Sequence, residues 1–292
     1  MPTLGFRNAT GQLGGQKTSY QVLENEFWRV VVLDTGYHSY DEFSDPLSYH
    51  PNVTQPDPVV SWLRDVVKLG DANDKRGIIL FSHHQYNSAF DEGFTGTANQ
   101  ISELIGSERS VIWFFGHEHK LAWYKLGAIP GATLQAYSRC VGNGGFPTSH
   151  ARVPSRAGSA GLELYDNRVY QVSHGMKELP TGFNGWLEFS FQGADVVVDY
   201  KSLTLNTTGE MGVPSDSQAD HLVRETFTAH ANGSAVLTSR QILNVNLTVV
   251  DDLREQVTPA ASAPAVVLDE AADGLDMYSR TKRHAHRIRS TQ

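Results

Sequence analysis

Four histidines stand in two tight groups in this chain: His83 and His84 in "GIILFSHHQ" (77–85), and His117 and His119 in "VIWFFGHEHK" (111–120). A neutral imidazole is a common side-chain metal ligand that needs no unusual pKa. Residues two apart on an extended backbone point the same way, so His117 and His119 are expected on one side with Glu118 opposite. Gly116 just before them would let the backbone turn sharply and approach a ligand closely. The arrangement is not the helical H-E-x-x-H zinc motif, because position 121 is Leu. Either group alone has a bland reading. G-H-x-H can be a surface turn, and a His pair at a strand end can be one core histidine beside an exposed one. Two such groups, each closing an apolar run and separated by a helix-length spacer, are much harder to reach by chance.

The elements that must position these imidazoles read as alternating strands and helices. "SYQVLENEFWRVVVLDTG" predicts two strands with a turn at Glu24–Glu26; the second, Trp28 to Leu33, is a continuous apolar run suited to burial on both faces. "PDPVVSWLRDVVKLGD" predicts a helix with prolines at its start and an apolar stripe of Val59, Val60, Leu63, Val66 and Val67. The strand Ile78–Phe81 follows, then a helix in "TANQISELIGSE" with Ile101, Leu104 and Ile105 inward, then the strand Val111–Phe115. Strand, helix, strand, helix, strand is the pattern of parallel pairing through crossover helices. Ligands of such sheets bind beyond the carboxyl ends of the strands, where both histidine groups fall. After residue 120 the pattern changes to short strands split by turn residues, with about three more strands in 218–251. From residue 253 the chain is poor in aromatics and rich in Ala, Pro and acid, and ends in a basic tail at 281–292 that includes His284 and His286; this reads as disordered.

With these residues in place, the sequence resembles the calcineurin-like metallophosphoesterases. "FSHHQ" looks like that family's fourth motif block, a His after a hydrophobic strand, and "FFGHEHK" like its fifth, G-H-x-H. The likeness extends over roughly residues 18–205, including "AYSRCVGNGGFP" and the closing strands of the β-sandwich. The resemblance implies an α/β fold, a double β-sandwich flanked by helices. It implies hydrolysis of a phosphoester substrate with two divalent metal ions. His83 and His117 would be ligands of the second ion and His119 of the first. His84 is the alternative to His83 as a ligand, or a substrate contact.

The family's first three blocks are missing from their expected places: D-x-H and G-N-H do not occur, and the letters G-D-x-x-D occur only within "LGDAND". "LGDAND" (69–74) follows a helix and reads as its end and a turn. Those blocks carry the carboxylates, one of which bridges the ions. Two dications a few ångströms apart repel strongly, and three neutral imidazoles cannot offset that. The expectation is therefore an amino-terminally truncated enzyme with an incomplete dinuclear site, its sheet uncovered at an edge or face. The alternative is a non-catalytic β-rich binding or scaffold protein on the same fold. The expected organisation is a loop at 1–19, a partial phosphoesterase-type domain at 20–205, a β-strand extension at 206–252 and a disordered tail at 253–292.

Bulk properties narrow the field further. With 292 residues and 40% hydrophobic content the chain can build a substantial core. A net charge of −8 argues against a general binder of nucleic acid or of membrane surfaces. No run approaches the roughly 20 apolar residues of a membrane span. The start has no apolar signal core, which points to the cytoplasm by default and leaves secretion open if the amino terminus is truncated. The single Cys140 excludes an internal disulfide framework and reads as packed rather than nucleophilic. "LDTGYHSYDEF" places Asp34, His38, Tyr40 and Asp41 past another strand end; a polar turn is favoured slightly over a cleft-lining loop. "GNGGFP" (142–147) reads as a turn rather than a phosphate cradle.

Overall fold

The computed structural model describes residues 6–7, 13–14, 18–36, 53–106, 109–129, 131–145, 157–174, 177–204 and 219–250. His38, Tyr40, Asp41 and the tail from 251, including His284 and His286, lie outside the described residues. Residue contacts divide the chain into Met1–Leu253 and Arg254–Gln292, the second lying wholly outside them.

The elements are β1 (Phe6–Arg7), β2 (Leu13–Gly14), β3 (Gln21–Glu24), β4 (Trp28–Val32), α1 (Asp57–Asp65), β5 (Gly77–Ser82), α2 (Thr95–Ile105), β6 (Ser110–Phe115), β7 (Leu121–Ala128) and β8 (Gln135–Val141). A 3-10 turn (Gly142–Gly144) and the short α3 (Ala157–Ala160) follow. Then come β9 (Leu162–Tyr165), β10 (Tyr170–His174), β11 (Lys177–Thr181), β12 (Gly185–Gln192), β13 (Asp195–Ser202), β14 (Asp220–Ala229), β15 (Ala235–Ile242) and β16 (Thr248–Val249).

Two sheets dominate. The larger has eight strands in the order β16-β9-β7-β8-β6-β5-β4-β3. Its centre is parallel, β4 with β5, β5 with β6 and β6 with β8, while the flanking pairs are antiparallel. The smaller is antiparallel, in the order β12-β13-β14-β15. Period-2 alternation along the central strands separates two cores. Leu80, Val111, Trp113 and Phe115 face one core, with Leu63 of α1 and Ala98 and Ile101 of α2. Ile79, Ile112, Phe114 and Trp123 face the other, with Val196, Val198, Leu222 and Phe227 of the smaller sheet. Continuous apolar strands such as "SVIWFF" are therefore buried on both faces. The fold is α/β: a sandwich of two sheets with helices against the outer face of the larger one.

Several local expectations change. Both faces of the larger sheet are covered, one by helices and one by β12–β15. The strands at 220–249 form half of the smaller sheet and, as β16, an edge of the larger. Helix α1 ends at Asp65, so the apolar stripe stops early and Val66 is 69% exposed. The chain leaves the helix through Lys68, which takes a positive φ of 55°. Among the described residues no helix is long and apolar enough to cross a membrane.

Candidate metal and phosphate site

The parallel strands β4, β5, β6 and β8 end at one rim. The ladder continues past the strands: the Leu33 N–H donates to the Phe81 carbonyl at 2.9 Å, and the Gly116 N–H donates to the His83 carbonyl at 3.0 Å. These bonds hold Asp34 and Thr35, His83 and His84, and His117 and His119 on adjacent loops. Below them, Trp113 Nε1 donates to Ser82 Oγ at 2.9 Å, and Ser82 Oγ donates to the His84 carbonyl at 2.9 Å.

The backbone turns at His117, not at Gly116. His117 has φ 63°, one of two non-glycine residues with positive φ among those described. A Cβ on Gly116 would make only ordinary contacts, at 3.7 Å or more. A non-glycine residue in this conformation costs about 1–3 kcal/mol and survives where its surroundings hold it, most often at functional sites. The close approach is supplied by Gly142: a Cβ there would lie 1.8 Å from the Glu118 carbonyl oxygen. The turn after β8 thus packs directly under the G-H-E-H loop. Glu118 is buried, with Gln85 Nε2 donating to its Oε1 at 3.3 Å.

The imidazoles converge. His83 Nε2 and His117 Nδ1 lie 3.3 Å apart. One ring nitrogen from each of His83, His84 and His117 lies within 4.8 Å of the others. His84 packs tilted against His117 at 4.6 Å between ring centroids and edge-on against Phe94 at 5.0 Å. His119 is not in this threefold group, but its charge weighs on His83. Sequence reasoning missed the involvement of Thr35, whose Oγ1 meets both the His83 and His84 backbones; a threonine in a polar loop leaves no periodic signal.

Electrostatics disfavour the charged forms of His83 and His84. Partial burial lowers the proton affinity of His83, and repulsion from His119 adds to this, against the pull of Asp34. Burial, then repulsion from His117 and His83, lowers the pKa of His84 to about 4. Neutral imidazole is the ligand form. Cys140, beneath the loop, is buried, and its thiol is pushed well above the ordinary range by burial and by the Glu118 charge. It is packing, not a thiolate ligand.

Does this donor set fit a metal ion? Nitrogens bound tetrahedrally to zinc at about 2.0–2.1 Å stand about 3.3 Å from each other. The His83–His117 separation has that value, and Asp34 is the acidic group whose charge His83 feels. The pair fits one divalent ion. A second ion would require carboxylates that the described residues do not gather around this cluster.

No family model matches the chain, and no curated protein matches it. Among solved structures, a purple acid phosphatase from seeds of yellow lupin (Lupinus luteus) is similar at 10% sequence identity and a TM-score of 0.34, over 70% of this chain and 34% of that one. The chain thus spans about a third of that phosphatase's length.

Proposed function

We propose that this chain carries the histidine arm of a metal-dependent phosphoester hydrolase of the calcineurin-like type. The observation that supports this is the 3.3 Å approach of His83 Nε2 to His117 Nδ1 at the carboxyl rim of a parallel sheet. Both come from the two blocks, "FSHHQ" and "FFGHEHK", that resemble that family.

His83 and His117 hold a divalent ion, with Asp34 the nearby carboxylate. When bound, such an ion polarises a phosphoryl oxygen and makes a bound water acidic near neutral pH. The residues of this chain do the rest. The Gly116–His83 backbone bond and the strained turn at His117 fix the two rings against each other. Burial lowers the proton affinity of His83, so that a proton competes less for its lone pair. His119, next along the loop, is the candidate ligand for a second ion. That ion also needs the ligands of the D-x-H, G-D-x-x-D and G-N-H blocks; the first and third are absent from this sequence, and the letters of the second, at 70–74, lie past α1, where Asp74 pairs with Arg29 and Arg76. Phosphoester turnover belongs to the centre completed with those blocks. The chain alone retains binding of the ion and of a phosphate on it.

The test is binding of inorganic phosphate to the chain with and without zinc. Phosphate is expected to bind only the zinc-loaded chain, and hydrolysis of a chromogenic phosphodiester is expected to be negligible. Phosphate binding that ignores zinc, or that persists in His83→Ala and His117→Ala, would contradict the reading.

A further inference from the structure

Thr35 is buried three residues past β4 and faces the His83–His84 pair. Its Oγ1 accepts the backbone N–H of His83 at 3.1 Å and that of His84 at 2.9 Å. The same oxygen lies 3.2 Å from Nδ1 of the His84 ring. A hydroxyl has two lone pairs and one hydrogen. Backbone N–H groups can only donate, so they take both lone pairs. That leaves the hydroxyl hydrogen for the third contact, in which Thr35 donates and Nδ1 accepts; the Thr35 backbone draws the ring toward its charged form, but more weakly than burial and the neighbouring rings oppose it. A neutral imidazole has one bare nitrogen and one N–H. With Nδ1 bare and held by Thr35, the proton sits on Nε2.

We infer that His84 serves the site as an Nε2–H hydrogen-bond donor to an oxygen of a bound phosphate or phosphoester, not as a metal ligand, and that Thr35 is the positioning residue that sets this tautomer. The inference rests on the functional reading above and divides the threefold cluster into two jobs. His83 and His117 face each other at ligand spacing. His84 ligating through Nδ1 would have to abandon Thr35. His84 ligating through Nε2 would force Thr35 to accept a third hydrogen. Its ring is wedged between Phe94 and His117, so it cannot turn over without displacing them. One of its nitrogens lies within 4.8 Å of the His83 and His117 donors, which puts the ring within reach of whatever they hold.

Two measurements on the full chain test this. Long-range nitrogen–proton correlation NMR of the metal-free, isotope-labelled protein at neutral pH reads the tautomer of each histidine. His84 is expected as the Nε2–H form. Thr35→Ser should preserve that form, and Thr35→Val should lose it. An Nδ1–H form at His84 in the unsubstituted chain overturns the inference. The second measurement titrates zinc, then inorganic phosphate. His84→Ala should keep zinc affinity within about threefold and weaken phosphate binding to the loaded chain about tenfold or more, the range for a hydrogen bond to a charged group. A loss of zinc affinity in His84→Ala as large as that in His83→Ala overturns it. If the unsubstituted chain binds no zinc, the functional reading fails, and the tautomer experiment still decides the part played by Thr35.

Discussion

Arg139 on β8 grips Glu225 on β14 through two 2.8 Å bonds, Nε to Oε2 and Nη2 to Oε1, joining the two sheets across the core between them. Both side chains are fully buried. The remaining capacity of the pair is also used. Tyr200 and Arg240 donate to Glu225, and Arg139 Nη1 donates to the Tyr124 and Ser138 carbonyls. Breaking a buried pair strands a charge and costs about 3–5 kcal/mol. Glu225→Ala is expected to lose that much in urea unfolding, if it folds at all. The double replacement Arg139→Met with Glu225→Leu should lose less than the sum of the single ones. A loss below about 1 kcal/mol for Glu225→Ala would show that the sheets do not depend on this clamp.

The same carboxylate sets an acid limit. Burial alone would raise the pKa of Glu225, but the Arg139 charge and hydrogen bonds outweigh it and hold the group below its ordinary 4.5. Asp74 behaves alike: burial pushes it up, and Arg76 and Arg29 bring it below 3.8. A carboxyl depressed in the folded state contributes stability above its unfolded pKa, and that stability is lost as pH falls through the folded value. The urea midpoint is therefore expected to fall as pH drops below about 6.5, where the unfolded chain takes up protons that His83 and His84 resist in the fold, and to fall further below pH 4.5 as these carboxyls are protonated. Glu225→Gln should show a shallower fall. An acid response unchanged in that variant would remove Glu225 as a cause.

Gly142 is where the fold presses against the histidine loop. Gly142→Ala would drive a methyl group into the Glu118 carbonyl. It is expected to cost about 1–3 kcal/mol and to weaken zinc binding through displacement of His117. Gly145→Ala, with open space around it, should stay within about 0.5 kcal/mol and leave zinc binding unchanged. Equal effects of the two would mean that the turn after β8 does not support the site.

His117 holds strain at the rim. His117→Gly relieves the positive φ, so unfolding free energy should stay level or rise by up to about 1 kcal/mol, while zinc affinity drops at least about tenfold. His117→Ala should lose both stability and zinc. A stability loss in His117→Gly as large as in His117→Ala would mean that the conformation carries no strain.

The legible parts of the fold were those with one-dimensional signals. "SVIWFF" and "GIILFS" announce strands buried on both faces, and the parallel order β4-β5-β6 follows from the helices between them. The histidines were legible because they close those runs. Val66 misled, since apolar spacing does not reveal that the helix stops one residue before it. The pairing of β14 with β13 is a long-range choice among similar alternating strands, and nothing local records it. Thr35 and Gly142 act across 48 residues and 24 residues of chain, on His83 and on Glu118, and contacts of that kind have no sequence period.

The central claim, that His83 and His117 together hold a divalent ion, is tested most directly by titrating the metal-free chain with cobalt(II) and following its visible absorption. About one ion per chain is expected, with the intense bands of a tetrahedral nitrogen site, and these should vanish in both His83→Ala and His117→Ala. Absence of such bands at saturating cobalt, or bands that survive both replacements, would contradict the account.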